Sequence, residues 1–178
     1  AAMKSPVKTC LMGLGRVARS HLEGMREIPE EMEIAALVSR DRDKAENFSR
    51  EYQVPRIYAS LEEALKDGDI EAVDICLPNH LHADAAILCA HAGKHILVEK
   101  PMAITLAQCT AMIEATRSAG VHMLVGHSHS FNAPVLHTRA LIASGRFGAV
   151  RMMTAMNYTD FLYRPRRPEE LDTAAGGG

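Results

Sequence analysis

The 178-residue sequence has no apolar run approaching the roughly 18 residues that a membrane-spanning helix requires. Its N-terminus lacks the basic flank and continuous apolar stretch of a signal peptide. Neither sign of charge is in surplus: 20 Lys+Arg face 22 Asp+Glu, a formal net charge of -2, which excludes a general electrostatic grip on nucleic acid or an anionic membrane. Cysteine is sparse. Cys10, Cys76, Cys89 and Cys109 stand far apart with no C-x-x-C pair, so they read as small hydrophobes of a reducing compartment rather than disulfides, metal ligands or nucleophiles. There is no internal repeat and no low-complexity tract. What is present is 47% hydrophobic and 24% charged residues, the usage of a globular chain and not of a disordered one. A cytoplasmic protein with a small-molecule partner is expected.

Short apolar runs alternate with helical patterns along the first two thirds of the chain. Val7–Met12, Ile34–Val38, Ile57-Tyr58, Ala72–Leu77, Ile96–Val98 and Val121–Val125 read as strands. Val17–Ile28, Lys44–Tyr52, the stretch from Ser60 to Lys66, His80–Ala92 and the stretch from Thr105 to Ala119 read as the intervening helices, with Ser60 and Thr105 as N-caps. This order predicts an α/β fold, a doubly wound parallel sheet with helices on both faces. Beyond Gly126 the rhythm changes: a helix over Ala133–Ala143, a longer strand over Val150–Tyr158 and a Pro/Arg-rich loop suggest the start of an α+β second domain. The expected division is a dinucleotide-binding domain over 1–128 and part of a substrate and oligomerisation domain over 129–178, with the polypeptide expected to continue past Gly178. A homo-oligomer formed through the second domain is expected.

The first strand runs into Gly13-Leu14-Gly15-Arg16-Val17-Ala18, a G-x-G-x-x-A turn opening the first helix. Gly13 permits the tight turn, Gly15 lets a pyrophosphate approach the backbone, and Ala18 keeps helix and strand close, while the helix N-terminus offers N–H groups to phosphate. NAD sites place an acid at the end of the second strand. Here Ser39 takes that position with Arg40 beside it, which favours NADP and its 2′-phosphate; the alternative is that Arg40 is solvated and Asp41 serves the ribose of NAD.

Three polar clusters fall at the carboxyl ends of strands: Pro78-Asn79-His80-Leu81-His82, Glu99-Lys100-Pro101 and Gly126-His127-Ser128-His129-Ser130. Lys100, directly after a buried strand, is placed to donate to a substrate oxygen and to stabilise negative charge there during hydride transfer. His82, His127 and His129 are candidates for acid–base or hydrogen-bonding roles, whereas His21, His91, His95, His122 and His137 read as ordinary helix or strand residues. His127 and His129 have H-x-H spacing, but with no thiol or carboxylate at ligand spacing no metal is expected. Arg164, Arg166 and Arg167 form a compact cation cluster. It is either a carboxylate-binding clamp or a solvated loop pairing with Glu169, Glu170 and Asp172.

These residues resemble the glucose–fructose oxidoreductase / inositol dehydrogenase / rhizopine-catabolism (Gfo/Idh/MocA) family along essentially the whole chain. Gly13-Leu14-Gly15, Pro78-Asn79-His80-Leu81-His82, Ala92-Gly93-Lys94-His95 and, most specifically, Val98-Glu99-Lys100-Pro101-Met102-Ala103 carry the resemblance. It implies a Rossmann domain binding NAD or NADP, with Glu99 on cofactor ribose hydroxyls and Lys100 as the catalytic lysine. Leu77, Pro78, Asn79 and His82 would line the cofactor crevice beside Gly13, Gly15, Arg16, Val17, Ser39 and Arg40. The segments Gly126–Phe131 and Thr159–Thr173 are similar to the phthalate 4,5-cis-dihydrodiol dehydrogenase branch. That likeness implies oxidation of a carboxylated cyclic cis-diol with NAD, the substrate meeting His127, His129, Arg164, Arg166 and Arg167. A sugar or inositol dehydrogenase and a non-catalytic dinucleotide sensor are the alternatives.

Overall fold

A computed structural model describes residues 5–156 and Tyr158, which fall into two compact units, one ending at Val125 and the other starting at Gly126. In the first, the apolar runs become strands β1 (Val7–Met12), β2 (Met32–Val38), β3 (Arg56–Tyr58), β4 (Ala72–Ile75), β5 (His95–Val98) and β6 (Met123–Val125). Their order across the sheet is β3-β2-β1-β4-β5-β6, and every pairing is parallel. The expected doubly wound sheet is therefore what the chain forms. The strand order reverses between β1 and β4, so the connections leaving their carboxyl ends diverge and open a crevice there.

Helices α1 (Arg16–Arg26), α2 (Arg42–Tyr52), α3 (Leu61–Leu65), α4 (His82–His91) and α5 (Leu106–Ala119) carry the chain back between strands. Their starts are set by local hydrogen bonds. The Asp41 carboxylate accepts from the Lys44 N–H, the Ser60 hydroxyl from the Glu63 N–H, and Thr105 with Gln108 closes a reciprocal capping box. At α1 the N-cap is Gly15, which brings no side-chain acceptor.

Because successive strand residues point to opposite faces, the sheet divides its core in two. Cys10, Ala36, Val73, Ile75 and Ile96 pack with Ala86 and Cys89 of α4 and Met112 of α5. Leu11 and Leu37 pack on the other face with Ala18 and Leu22 of α1 and Phe48 of α2. Each fully buried side chain such as Leu22 contributes about 1.5–3 kcal/mol by leaving water. The same alternation that turns Val73 and Ile75 towards α4 turns Asp74 the other way, where its carboxylate is fully buried.

The starts of β2, α2, α4 and β6 each shift by two residues from the expected Ile34, Lys44, His80 and Val121, and three further corrections have a local cause. Helix α1 begins at Arg16, not Val17, because Gly15 itself serves as N-cap. Strand β4 stops at Ile75, two residues before Leu77, whose carbonyl turns to face the ring of His82 rather than a neighbouring strand. In the second unit α6 (Ala133–Ala143) forms, with Pro at its first turn, but residues 150–156 and Tyr158 carry no strand. Loose alternation does not make a strand unless a neighbour supplies the ladder hydrogen bonds, and among the described residues none does.

The two glycines of the first turn differ in what fixes them. Gly13 has φ +94°, and a Cβ there would lie 2.6 Å from the Cys76 carbonyl oxygen, whereas a Cβ on Gly15 would meet nothing within 4 Å. Gly13→Ala is expected to cost at least about 1–2 kcal/mol in a urea unfolding curve, from the left-handed backbone alone. Gly15→Ala should leave the unfolding midpoint nearly unchanged; equal losses would show that the turn is uniformly intolerant.

Candidate functional site

The turn between β1 and α1 leaves a cradle. A Cβ on Gly15 would meet nothing within 4 Å, and in the first turn of α1 that follows it neither a side-chain cap nor an acidic residue engages the free N–H groups. The positive end of the helix dipole is thus uncompensated, and exposed Arg16 adds a cation. Val17 is also exposed, while Ala18 is fully buried against the sheet. Free N–H groups at a helix start attract an anionic group.

At the end of β2 the Ser39 hydroxyl accepts from the Asp41 N–H at 3.1 Å. One carboxylate oxygen of Asp41 is committed to the Lys44 N–H at 3.0 Å, so Asp41 acts as the cap of α2. Arg40 is exposed beside them.

Beyond β4, Leu77 and Asn79 are half-buried and Pro78 is exposed, with Asn79–Leu81 forming a single 3-10 turn. The sequence places His82 among the crevice-lining residues; the structure instead buries its ring completely. His82 Nδ1 lies 2.8 Å from the Pro101 carbonyl oxygen and Nε2 lies 2.8 Å from that of Leu77. Its polar atoms are spent on bracing the loop after β4 against the loop after β5, so it supports the rim from behind. Lys100 is exposed, and the Lys100-Pro101 peptide bond is cis. The Lys100 N–H donates to Glu99 Oε2 at 3.0 Å.

The sequence reading assigns His21 an ordinary helical role, and here it misses a side chain that links three elements of the first unit. His21 Nδ1 lies 2.7 Å from Asp74 Oδ2 and Nε2 lies 3.0 Å from Glu99 Oε1, so one ring joins α1, β4 and the end of β5. The Asp74 hydrogen bond is the main reason that the His21 pKa is raised, to about 9 against an ordinary 6.5; burial opposes it, and Glu99 adds to the rise. Cys76 Sγ sits 3.6 Å from Nδ1, and burial with nearby carboxylates pushes that thiol far up, so it keeps its proton. Donor atoms of His21, Asp74 and Cys76 lie within 4.8 Å of one another. A protonated ring and a protonated thiol make this a hydrogen-bonded cluster and poor cation ligands. Two signals in the sequence point to it: an acid inside the apolar strand Ala72–Ile75, and a histidine on the buried stripe of Ala18, Leu22 and Met25.

In the second unit His127 and His129 are exposed, and His129 Nδ1 lies 3.2 Å from Asn132 Nδ2. Arg164, Arg166 and Arg167 lie outside the described residues. Among the described residues no helix is long and apolar enough to cross a membrane.

Comparison with known proteins places this geometry in context. Residues 7–127 match a family model described as an oxidoreductase family with an NAD-binding Rossmann fold. Over 147 residues the chain is 44% identical to a 1-carboxy-3-chloro-3,4-dihydroxycyclohexa-1,5-diene dehydrogenase of Comamonas testosteroni, covering 83% of this chain and 37% of that protein. A crystal structure from Bordetella bronchiseptica RB50 matches with a TM-score of 0.85 at 38% identity, over 97% of this chain and 45% of that one. The WlbA dehydrogenase of Bordetella pertussis, solved with NADH and UDP-GlcNAcA, matches with a TM-score of 0.73 at 26% identity, over 80% of this chain and 43% of that one. The chain spans less than half the length of each of these proteins.

His82→Ala removes the brace, strands two carbonyl oxygens and leaves a cavity, which together should cost about 2–4 kcal/mol in chemical denaturation. A loss below about 0.5 kcal/mol, the range of a plain surface substitution, would show that the two loops hold without the ring.

Proposed function

The chain belongs to the Gfo/Idh/MocA oxidoreductase family, and from that membership we propose that it forms the coenzyme-binding part of a dehydrogenase that oxidises a carboxylated cyclic cis-dihydrodiol with NAD or NADP. The observation that carries the reading is the cradle at Gly15, open in front of an uncapped helix N-terminus at the point where the strand order reverses. The first-turn N–H groups of α1 and Arg16 receive the phosphates. Val17, Leu77, Pro78 and Asn79 border the bound dinucleotide, and Glu99 accepts from ribose hydroxyls. The nicotinamide, when bound, supplies the hydride acceptor.

Lys100 is the catalytic residue in this reading. Its ammonium would donate to the substrate oxygen and stabilise the negative charge there, with the hydroxyl proton passing to water. At the other end of the site no carboxylate stands at Ser39, and Asp41 is engaged in capping α2. With Ser39 in place of an acid, Arg40 is the cation placed to meet a 2′-phosphate, which favours NADP. The choice of substrate class is supported by the relative from Comamonas testosteroni, whose name describes a carboxylated dihydroxycyclohexadiene. Residues 129–178 belong to the substrate and oligomerisation domain in this scheme, and the substrate residues are His127, His129, Arg164, Arg166 and Arg167.

Incubation of the protein with NAD or NADP and a ring-carboxylated cis-dihydrodiol should generate the absorbance of reduced nicotinamide. Lys100→Met should lower kcat by roughly a hundredfold or more with an unchanged melting temperature. Arg40→Ala should weaken NADP by roughly tenfold and NAD far less. Tight dinucleotide binding with no turnover, indifferent to Lys100→Met, would replace the dehydrogenase with a sensor.

A further inference from the structure

We infer that His21 is a positioning residue whose ring, held between Asp74 and Glu99, fixes the Glu99 carboxylate in the orientation that binds the ribose next to the nicotinamide. The inference rests on the reading of Glu99 as a ribose ligand and deepens it. Asp74 is fully buried in the central strand β4, an expensive place for a carboxylate unless a cationic donor meets it. His21 reaches it from α1 at 2.7 Å and spends its second nitrogen on Glu99 at 3.0 Å. Glu99 is then gripped at both oxygens, Oε1 by His21 and Oε2 by the Lys100 N–H. Few rotamers of Glu99 satisfy both contacts, so its remaining acceptor directions are set before any ligand arrives.

The grip depends on one proton. Both atoms facing the ring nitrogens are carboxylate oxygens, and only the doubly protonated ring donates to both. The titratable groups facing His21 are Asp74 and Cys76 from β4 and Glu99 from the end of β5. The two carboxylates hold the proton up to about pH 9. Because the pKa in the folded protein is raised, the clamp is complete at neutral pH and is lost as pH rises through about 9. Above that, a neutral ring turns a lone pair on one carboxylate and releases it.

The test compares binding of NADPH with binding of ADP, which carries no nicotinamide ribose, by calorimetry between pH 7 and 10. NADPH affinity of the wild-type protein should fall roughly tenfold through a midpoint near 9, as one charge-assisted hydrogen bond is lost, while ADP affinity stays level over that step. His21→Gln should bind NADPH roughly tenfold more weakly at pH 7 and show no step. A flat wild-type profile, or a step that survives in His21→Gln, overturns the inference while leaving the dinucleotide site intact. Failure of the wild-type protein to bind either ligand overturns the dinucleotide reading and this inference with it. Should His21→Gln not fold, NMR titration of the wild-type His21 ring decides: a midpoint near 9 that drops in Glu99→Gln is expected, and a midpoint below 7 or one insensitive to Glu99→Gln overturns the clamp.

Discussion

A negative charge in the middle of a parallel sheet has no water to answer it, and Asp74 is such a charge. Val73 and Ile75 on either side are committed to the opposite core, so β4 cannot rotate to release the acid without exposing both. The solution is to bring a cationic donor down from α1. This fixes which face α1 presents to the sheet, since Ala18, Leu22 and Met25 must be buried in the same stripe that carries His21. Hydrophobic packing and the ion pair therefore agree on a single rotation of the helix, and that rotation sets where its N-terminus points.

The two glycines of the βα turn stand in different surroundings. Gly13 is a demand of the fold: its backbone is left-handed and the Cys76 carbonyl oxygen occupies the space of a side chain. Gly15 has an ordinary extended backbone and empty surroundings, so nothing in the folded chain requires glycine there. In the proposed reading its reason is the phosphate group that approaches it. Only Gly13 of the two is required by the folded backbone, so the motif alone says little without its strand and helix.

Elements whose cause is local were legible in the sequence. Ser60 and Thr105 announce helix starts through side-chain bonds to residues three positions on, and the strands follow from short apolar runs between turns. The Glu99-Lys100 pair was legible because it ends a buried strand. The His21 cluster was not, since its partners lie 53 and 78 residues away and only the sheet order brings them together. The burial of His82 was not legible for the same reason, since one of its partners is the Pro101 carbonyl, 19 residues further along. Val150–Tyr158 shows the converse error, in which a local pattern suggests a strand although pairing is a property of two segments.

The ring of His82 has a mechanical consequence. Leu77 and Pro101 belong to the loops after neighbouring strands, and the imidazole packs between them with one ring nitrogen 2.8 Å from the carbonyl oxygen of each. The gap is then gauged by a rigid heterocycle rather than by the entropy of two loops, and a displacement of either loop is passed to the other.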